Sequence, residues 1–265
     1  MTSVETKKQL SEEFSGIKYI LTSGMRSKLL LAIYENPKNL DELRNELKKP
    51  SAAILHGLKE LETINLVKKV QKYYELTSNG FLLTTNMIKL IENWYALNKN
   101  KSFWNTHDLT GISEEALKEI YLLKNASYIS STTSDLSNAY NKYLQLLSKS
   151  KKIKIILPIY SENHLKHLIK LLNNDKINEL ELMVNNEILN SIEKNELLKN
   201  ELLNNTKVKI KCSEINLKIF LTQSDEFMSL TLFFKDGHYD DSQILIAKDA
   251  NAKRWAELLA KSYNK

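Results

Sequence analysis

At 265 residues, with 42% hydrophobic and 26% charged content, the chain is long enough for two ordinary folded units and is neither fibrous nor disordered. The net charge is +6, with 15 basic residues against 11 acidic before residue 100 and 23 against 21 after it, so the cationic excess is densest in the first third, where it suits an anionic partner. Cys212 is the only cysteine, which excludes an intrachain disulfide and a thiolate metal cluster, and no apolar run approaches the roughly 20 residues that cross a bilayer, so a cytoplasmic location without membrane association is expected.

Apolar residues recur at helical spacing from Ser11 to Tyr34 and are interrupted from Thr22 to Gly24, which predicts two helices or one kinked helix. Asn39 follows as the N-cap of a helix burying Leu40, Leu43 and Leu47. Pro50 stops that helix, and another runs from near Ser51 to about Asn65. Two short helices joined by a tight turn make a helix-turn-helix. Alternation from Leu66 to Leu76, with a polar tip at Gln71 and Lys72, predicts a small hairpin of the kind called a wing. Leu82, Met87, Leu90, Ile91, Trp94 and Leu97 then form an apolar stripe on a helix from about Thr77 to Asn98.

Residues 99–112 break the periodicity and read as a connector, whose Phe103 and Trp104 are expected to dock. Beyond it, helices near 113–124, 134–149, 161–173, 186–205 and 249–263 interleave with strands near 126–130, 152–157, 179–184, 207–212, 217–222, 227–234 and 242–247. That order predicts a mixed sheet flanked by helices, with a turn at Lys235 to Gly237 between the last two strands. The expected fold class is mixed α+β: a winged helix-turn-helix over 1–98 that binds DNA and dimerises, the connector, and an α/β sensing domain over 113–265.

Within the predicted second short helix, Ile54, Leu58, Leu61, Ile64 and Leu66 fall to the core side. That assignment leaves Ser51, Ala52, Leu55, His56, Lys59 and Thr63 outward. A major groove admits a helix, and small residues at its N-terminal end let the backbone approach while His56 and Lys59 reach bases or phosphates. Lys48 and Lys49 precede the helix, and Lys68, Lys69, Gln71 and Lys72 follow it in the wing. The candidate DNA-binding set is therefore Lys48, Lys49, Ser51, Ala52, Leu55, His56, Lys59, Lys68, Lys69, Gln71 and Lys72. Lysines alone would read as a solvated turn and a protected edge strand. The order of helix, short helix, Pro-Ser helix, lysine-bearing hairpin and long apolar helix favours double-stranded DNA as the partner.

The stretch "SGMRSKLLLAIYENPKNLDELRNELKKPSAAILHGLKELETINLVKKVQKYYELTSNG" resembles the winged helix-turn-helix of archaeal regulators related to the ArsR group. The stretches "SFWNTHDLTGISEEALKEIYLL" and "LKIFLTQSDEFMSLTLFFKDGHYDDSQILIAKDANAKRWAELL" resemble the FilR-type middle domain of archaeal methanogenesis regulatory proteins. Together the resemblance spans nearly the whole chain, and the connector and hairpin phrases are its most specific parts. It implies a DNA-binding transcription regulator with a sensing domain. One departure concerns base readout: Ala52 and Ala53 stand where family recognition helices often carry Ser or Thr, which shifts specificity toward His56, Lys59 and DNA shape.

The strand and helix order of the second half also looks like half of a phospholipase D-type fold, whose chemistry needs a histidine nucleophile. The comparable segment, "INLKIFLTQSDEF", keeps Lys218 but has Asn216 in place of the histidine and Gln223 in place of the aspartate, so no enzyme is expected. His164 and His167 sit three apart on a predicted helix without a third ligand at a diagnostic spacing and read as surface histidines. Asp236, Asp240 and Asp241 read as turn acids, and His107 as a packing residue with a hydrogen-bonded ring. No cofactor is expected, since six glycines form no phosphate loop. Tyr160, His164, Asn185 and Thr222 lie near strand ends, where open sheets collect ligands, and are the candidate effector-binding residues. The mechanism these readings compose is a homodimer joined through the Ser11–Tyr34 and Thr77–Asn98 helices, with a small-molecule effector changing half-site spacing through the connector. Its rivals are an adaptor using the winged helix to contact another protein and, further off, a phospholipase D-like phosphodiesterase.

Overall fold

The computed structural model describes the backbone of residues 3–263 and the side chains of residues 10, 11 and 13–263. Two compact units meet between Ile91 and Glu92. The first contains α1 (Ser3–Leu21), α2 (Gly24–Ile33), β1 (Lys38–Asn39), α3 (Leu40–Leu47), α4 (Ser51–Thr63), β2 (Val67–Val70), β3 (Tyr73–Leu76) and α5 (Ser78–Lys99) as far as residue 91.

The apolar run from Ser11 to Tyr34 resolves into two helices. Ser23 sits in extended backbone and accepts a hydrogen bond from the Arg26 amide at 3.3 Å, restarting the chain as α2. Asn39 caps α3 through a reciprocal box: its side chain accepts from the Glu42 amide at 3.0 Å, and the Glu42 carboxylate accepts from the Asn39 amide at 2.8 Å. Lys48 closes α3 in the left-handed region at φ 52°, and Pro50 at φ −61° starts α4. Leu29, Leu30, Leu43, Ile54, Leu58 and Leu61 form the centre of this unit's core. Ile64 departs from expectation. It is the C-cap residue of α4 and 40% exposed, because the helical period that would turn it inward has already ended. The wing is an antiparallel pair closed between Val70 and Tyr73, with Gln71 at φ 55° at its tip, and β1 adds a third strand against β3.

The second unit holds α6 (Lys101–Thr106), α7 (Glu114–Lys118), a 3-10 turn (Ile120–Leu123), β4 (Ser127–Ser130), α8 (Asn138–Leu147), β5 (Lys152–Ile156), α9 (Glu162–Asn173), β6 (Glu179–Asn185), α10 (Asn186–Lys194), α11 (Glu196–Leu198), β7 (Val208–Ser213), β8 (Ile219–Ser224), β9 (Met228–Leu232), β10 (Gln243–Ala247) and α12 (Ala250–Ser262). The strands form one mixed sheet in the order β4-β10-β9-β8-β5-β6-β7, parallel across β5-β6-β7 and antiparallel elsewhere. Residues 99–112 include α6, and Phe103 and Trp104 are buried in this unit's core.

Side chains alternate between the two faces of the sheet along the central strands, and most feed one of two cores. Ile153, Ile155, Leu180, Leu182, Ile244 and Ile246 join the core built with α8, α9 and α10. Met183, Leu221, Met228, Leu230, Leu232 and Leu245 join the other, with Trp255 of α12 and the residues of α6 and α7. The edges of the sheet are the four-residue β4 and the lysine-bearing β7, where Lys209 is exposed and Lys211 pairs with Glu181 at 2.7 Å.

Gly80, in the first turn of α5, is placed so that a Cβ there would lie 1.9 Å from the Leu66 carbonyl oxygen, which also accepts from the Thr77 amide at 3.0 Å. Gly80→Ala is expected to cost about 3 kcal/mol in urea unfolding, through backbone that cannot yield, whereas Gly16→Ala, with open space around it, is expected to be neutral or slightly stabilising.

Candidate functional site

In the first unit, α4 divides its faces as an exposed recognition helix must. Ile54, Gly57, Leu58 and Leu61 are buried against α2 and α3. Ala52, Leu55, His56, Lys59 and Thr63 are exposed, Leu55 to 42%, and Ser51 is half-buried. Lys48, Lys49, Lys68, Lys69, Gln71 and Lys72 are exposed as well.

Acids on this surface are largely answered within the unit. Glu60 of α4 is held by Arg26 at 2.9 Å and accepts from the Tyr19 hydroxyl at 3.0 Å. The Arg26 hydrogen bond keeps its carboxyl below the usual carboxylate range. Its distance to His56 is 3.7 Å. In the wing, Lys68 pairs with Glu75 at 2.8 Å, so it is committed across the hairpin. Lys69 and Lys72 lie over the rings of Tyr74 and Tyr73 at 5.4 and 5.5 Å, which stiffens two long side chains without neutralising them. The surface is thus predominantly cationic: Lys48, Lys49, Lys59, Lys69 and Lys72 are exposed beside the paired Lys68, against the exposed acid Glu62.

The second unit holds a cavity of about 360 Å³ between α8, α9 and the β8-β9-β10 part of the sheet. Tyr140, Tyr143, Phe220 and Tyr239 supply aromatic walls, and His164 faces it from α9. Ser161 caps α9 by accepting from the His164 amide at 3.4 Å, which sets the first turn of that helix against the cavity. The Tyr143 hydroxyl meets Thr222 Oγ1 at 3.1 Å, and Tyr239 bonds Thr231, so sheet threonines satisfy the phenols from below. Burial raises both phenols.

His164 is 2% exposed, and neither of its ring nitrogens has a hydrogen-bond partner. Burial pushes its pKa down to about 4, with the nearby His167 adding to the effect. His164 and His167 are not the surface histidines expected from their spacing: the apolar face of α9 is broad enough to take His164 wholly inside and His167 partly. Of the other expected effector residues, Thr222 lies beneath Tyr143, Tyr160 is 40% exposed, and Asn185 caps α10 by accepting from the Ile188 amide at 2.9 Å. The structure therefore brings His164 and Thr222 together around Tyr143 and uses Asn185 as a cap. Tyr143 and Tyr239 escaped the sequence reading. Their trace was the polar Thr222 and Thr231 at positions where the strand period demands core residues.

Behind the cavity, Asp240 is a turn acid with a second, distant partner. It is buried, its Oδ2 is 3.0 Å from His107 Nε2, and its Oδ1 accepts from the amide and hydroxyl of Ser242 at 2.9 and 2.6 Å. His107 Nδ1 donates to the Phe103 carbonyl at 2.6 Å. Residues 106–108 also pair with 233–235: the Asp108 amide donates to the Phe233 carbonyl at 2.8 Å, and the Lys235 amide to the Thr106 carbonyl at 3.2 Å. Asp236 is a turn acid, accepting from the His238 amide at 3.0 Å.

A larger depression of about 680 Å³ lies on the other sheet face, where Glu181 is 2.7 Å from Lys211 and 4.0 Å from Lys154, and Lys152 is 3.8 Å from Glu179. Lys218 bonds Asp108 and Thr110 at 3.3 and 2.9 Å and is a structural lysine. Among the described residues, no group of three or more His, Cys, Asp or Glu is placed to hold a metal ion, and no helix is long and apolar enough to cross a membrane.

Two models of one family match the chain: "Methanogenesis regulatory protein FilR1, N-terminal domain" over residues 14–93 and "Methanogenesis regulatory protein FilR1, middle domain" over residues 136–265. The curated methanogenesis regulatory protein FilR1 of Methanothrix harundinacea (strain 6Ac) is 24% identical over 257 residues, covering 93% of this chain and 56% of that protein, so this chain spans little more than half the relative's length. Among solved structures, the archaeal chromatin protein TrmBL2 superimposes with a TM-score of 0.38 at 13% identity, covering 89% of each chain, a likeness too distant to carry an argument.

The environment of His164 generates a pH dependence. Between about pH 6.5 and pH 4 the unfolded chain binds a proton that the folded chain refuses, so this histidine lowers stability as pH falls through that window, by up to about 3 kcal/mol. His164→Leu is expected to gain about 1 kcal/mol at pH 7 by removing two unpartnered nitrogens, and to lose less stability than the wild type between pH 7 and pH 4 in urea titrations.

Proposed function

Because this chain belongs to the FilR1 family of archaeal regulatory proteins, we propose that it is a sequence-specific transcription regulator whose first unit binds double-stranded DNA and whose second unit senses a small molecule. The observation that carries the reading is the outward face of α4, exposed between the lysines of the preceding turn and those of the wing. Phosphate strands on either side of a major groove meet cations at those two places, while His56, Lys59 and the small Ala52 present themselves to base edges. Few hydrogen-bonding side chains point outward from α4, so DNA shape supplies much of the specificity.

Exposed apolar side chains support a homodimer. Leu10, Phe14 and Ile17 of α1 and Leu82, Leu90 and Trp94 of α5 are exposed, Trp94 to 65%, and apolar surface of that extent favours burial against a second copy. Paired recognition helices would then read half-sites about one DNA turn apart. Residues 99–112, tied at 106–108 to residues 233–235, are the segment through which sensing reaches DNA binding. The second unit's mixed sheet supports kinship with half of a phospholipase D-type fold that has no nucleophile at Asn216 and has turned Lys218 to structural use. The exposed, lone Cys212 suits a cytoplasmic setting.

Lys59→Glu combined with Lys72→Glu is expected to weaken duplex binding by at least about tenfold in mobility shifts and to make the log affinity against log salt slope shallower by about two, with the circular dichroism spectrum unchanged. Unaltered binding, or salt-independent binding by the wild type, would favour the adaptor. Leu90→Glu combined with Trp94→Glu is expected to yield a monomer by light scattering and to weaken binding to a paired site far more than to a single half-site.

A further inference from the structure

A core that buries an imidazole with both nitrogens unpartnered gives up stability. Each such group costs about 1–3 kcal/mol, and native proteins hold few of them. His164 is among the residues that line a cavity, with both ring nitrogens buried, and lies between the rings of Tyr143 at 5.6 Å and Phe220 at 5.5 Å. We propose that this cavity is the effector site and that it takes an uncharged, flat, ring-bearing molecule whose own donor or acceptor completes His164. The proposal rests on the sensing half of the function above and deepens it.

Three features select that chemistry. The volume, about 360 Å³, is that of a small-ligand pocket. Its aromatic walls offer stacking and edge contacts to a planar body. Its charges reject ions of either sign: among the described residues lining it there is no lysine or arginine to meet an anion, and its carboxylates are Asp240, already engaged with His107, and Asp241, at the exposed margin, so a cation would enter without a buried partner. Neutral imidazole offers one donor and one acceptor, which suits a ligand carrying either or both.

Occupancy also has a short route outward. Tyr239 and Asp240 line the cavity, Asp240 bonds His107, and the amides on either side of His107 and Phe234 hold residues 106–108 to 233–235. A ligand that fixes Tyr239 and Asp240 therefore fixes the segment after α6.

The test uses the full chain without DNA, so that its outcome is independent of the DNA-binding reading. Benzimidazole, neutral at pH 7 with one donor and one acceptor, is titrated by calorimetry and by the nitrogen resonances of His164, beside benzoate and benzamidine as charged controls of similar shape. Saturable binding of benzimidazole, a shift of the His164 resonances, and at least about tenfold weaker binding of both controls are expected. His164→Leu should weaken benzimidazole about tenfold. Ser137→Trp, at an exposed lining position whose side chain makes no cap bond to α8, should block entry without unfolding the chain. Hydrogen exchange at the Asp108 and Lys235 amides should slow on binding in the wild type and stay unchanged in Ser137→Trp. Failure of benzimidazole to bind, equal binding of either control, or binding indifferent to both substitutions overturns the assignment. Binding with unchanged exchange at those two amides overturns the route to residues 106–108.

Discussion

On the sheet face packed against α8 and α9 the central strands β8, β9 and β10 have no solvent side, so a polar residue there must be answered from within. Ile153, Ile155, Leu180 and Leu182 feed one core while Met183, Leu221 and Leu230 feed the other, and the period of two is kept from strand to strand. Against that regularity the buried Thr222, Ser229 and Thr231 stand out on the face toward α8 and α9. Thr222 answers Tyr143 and Thr231 answers Tyr239. His164, held over the same strands by the capped first turn of α9, is left without an answer. The sheet's own economy of polar groups thus marks the cavity, and it passes over the larger depression, where Lys154, Glu181 and Lys211 satisfy one another.

The first unit solves a different problem with fewer residues. A helix of thirteen residues has to be anchored firmly while one side stays bare. Ile54, Leu58 and Leu61 provide the anchor, and Gly57 lets α2 approach, since Leu29 and Met25 occupy the space a side chain would need. Arg26 holds Glu60 in an ion pair, which takes one of the two acids of α4 out of the repulsion toward an anion, while Glu62 of the same helix is exposed. The wing lysines differ among themselves. Lys68 is spent on Glu75, while Lys69 and Lys72 rest on tyrosine rings and keep their charge available.

Much of this was legible in the residues because the signals were local. The capping box at Asn39, the breaker at Pro50, the apolar period of α4 and the alternation of the wing each depend on neighbours a few positions away. Ile64 was misplaced because a period says nothing about the residue at which a helix ends. His164 was assigned to the effector set by its nearness to a strand end, and its burial was hidden because that depends on which face of α9 meets the sheet. Asp240 read only as a turn acid since its second partner, His107, is 133 positions away in the chain. Tyr160 and Asn185 followed the same strand-end rule as His164, and the structure gives one to solvent and the other to a helix cap.

The margins of the sheet carry a consequence for edge-to-edge aggregation. One margin is a strand of four residues, and the other is β7, whose Lys209 stands in solvent and whose Lys211 leans across to Glu181. Docking a further strand alongside β7 would drive like charges together and strip water from ammonium groups that have nowhere else to go. Growth by backbone pairing is therefore disfavoured where it would lead to open-ended polymers. The homodimer proposed from the exposed apolar flanks of α1 and α5 would instead close on itself.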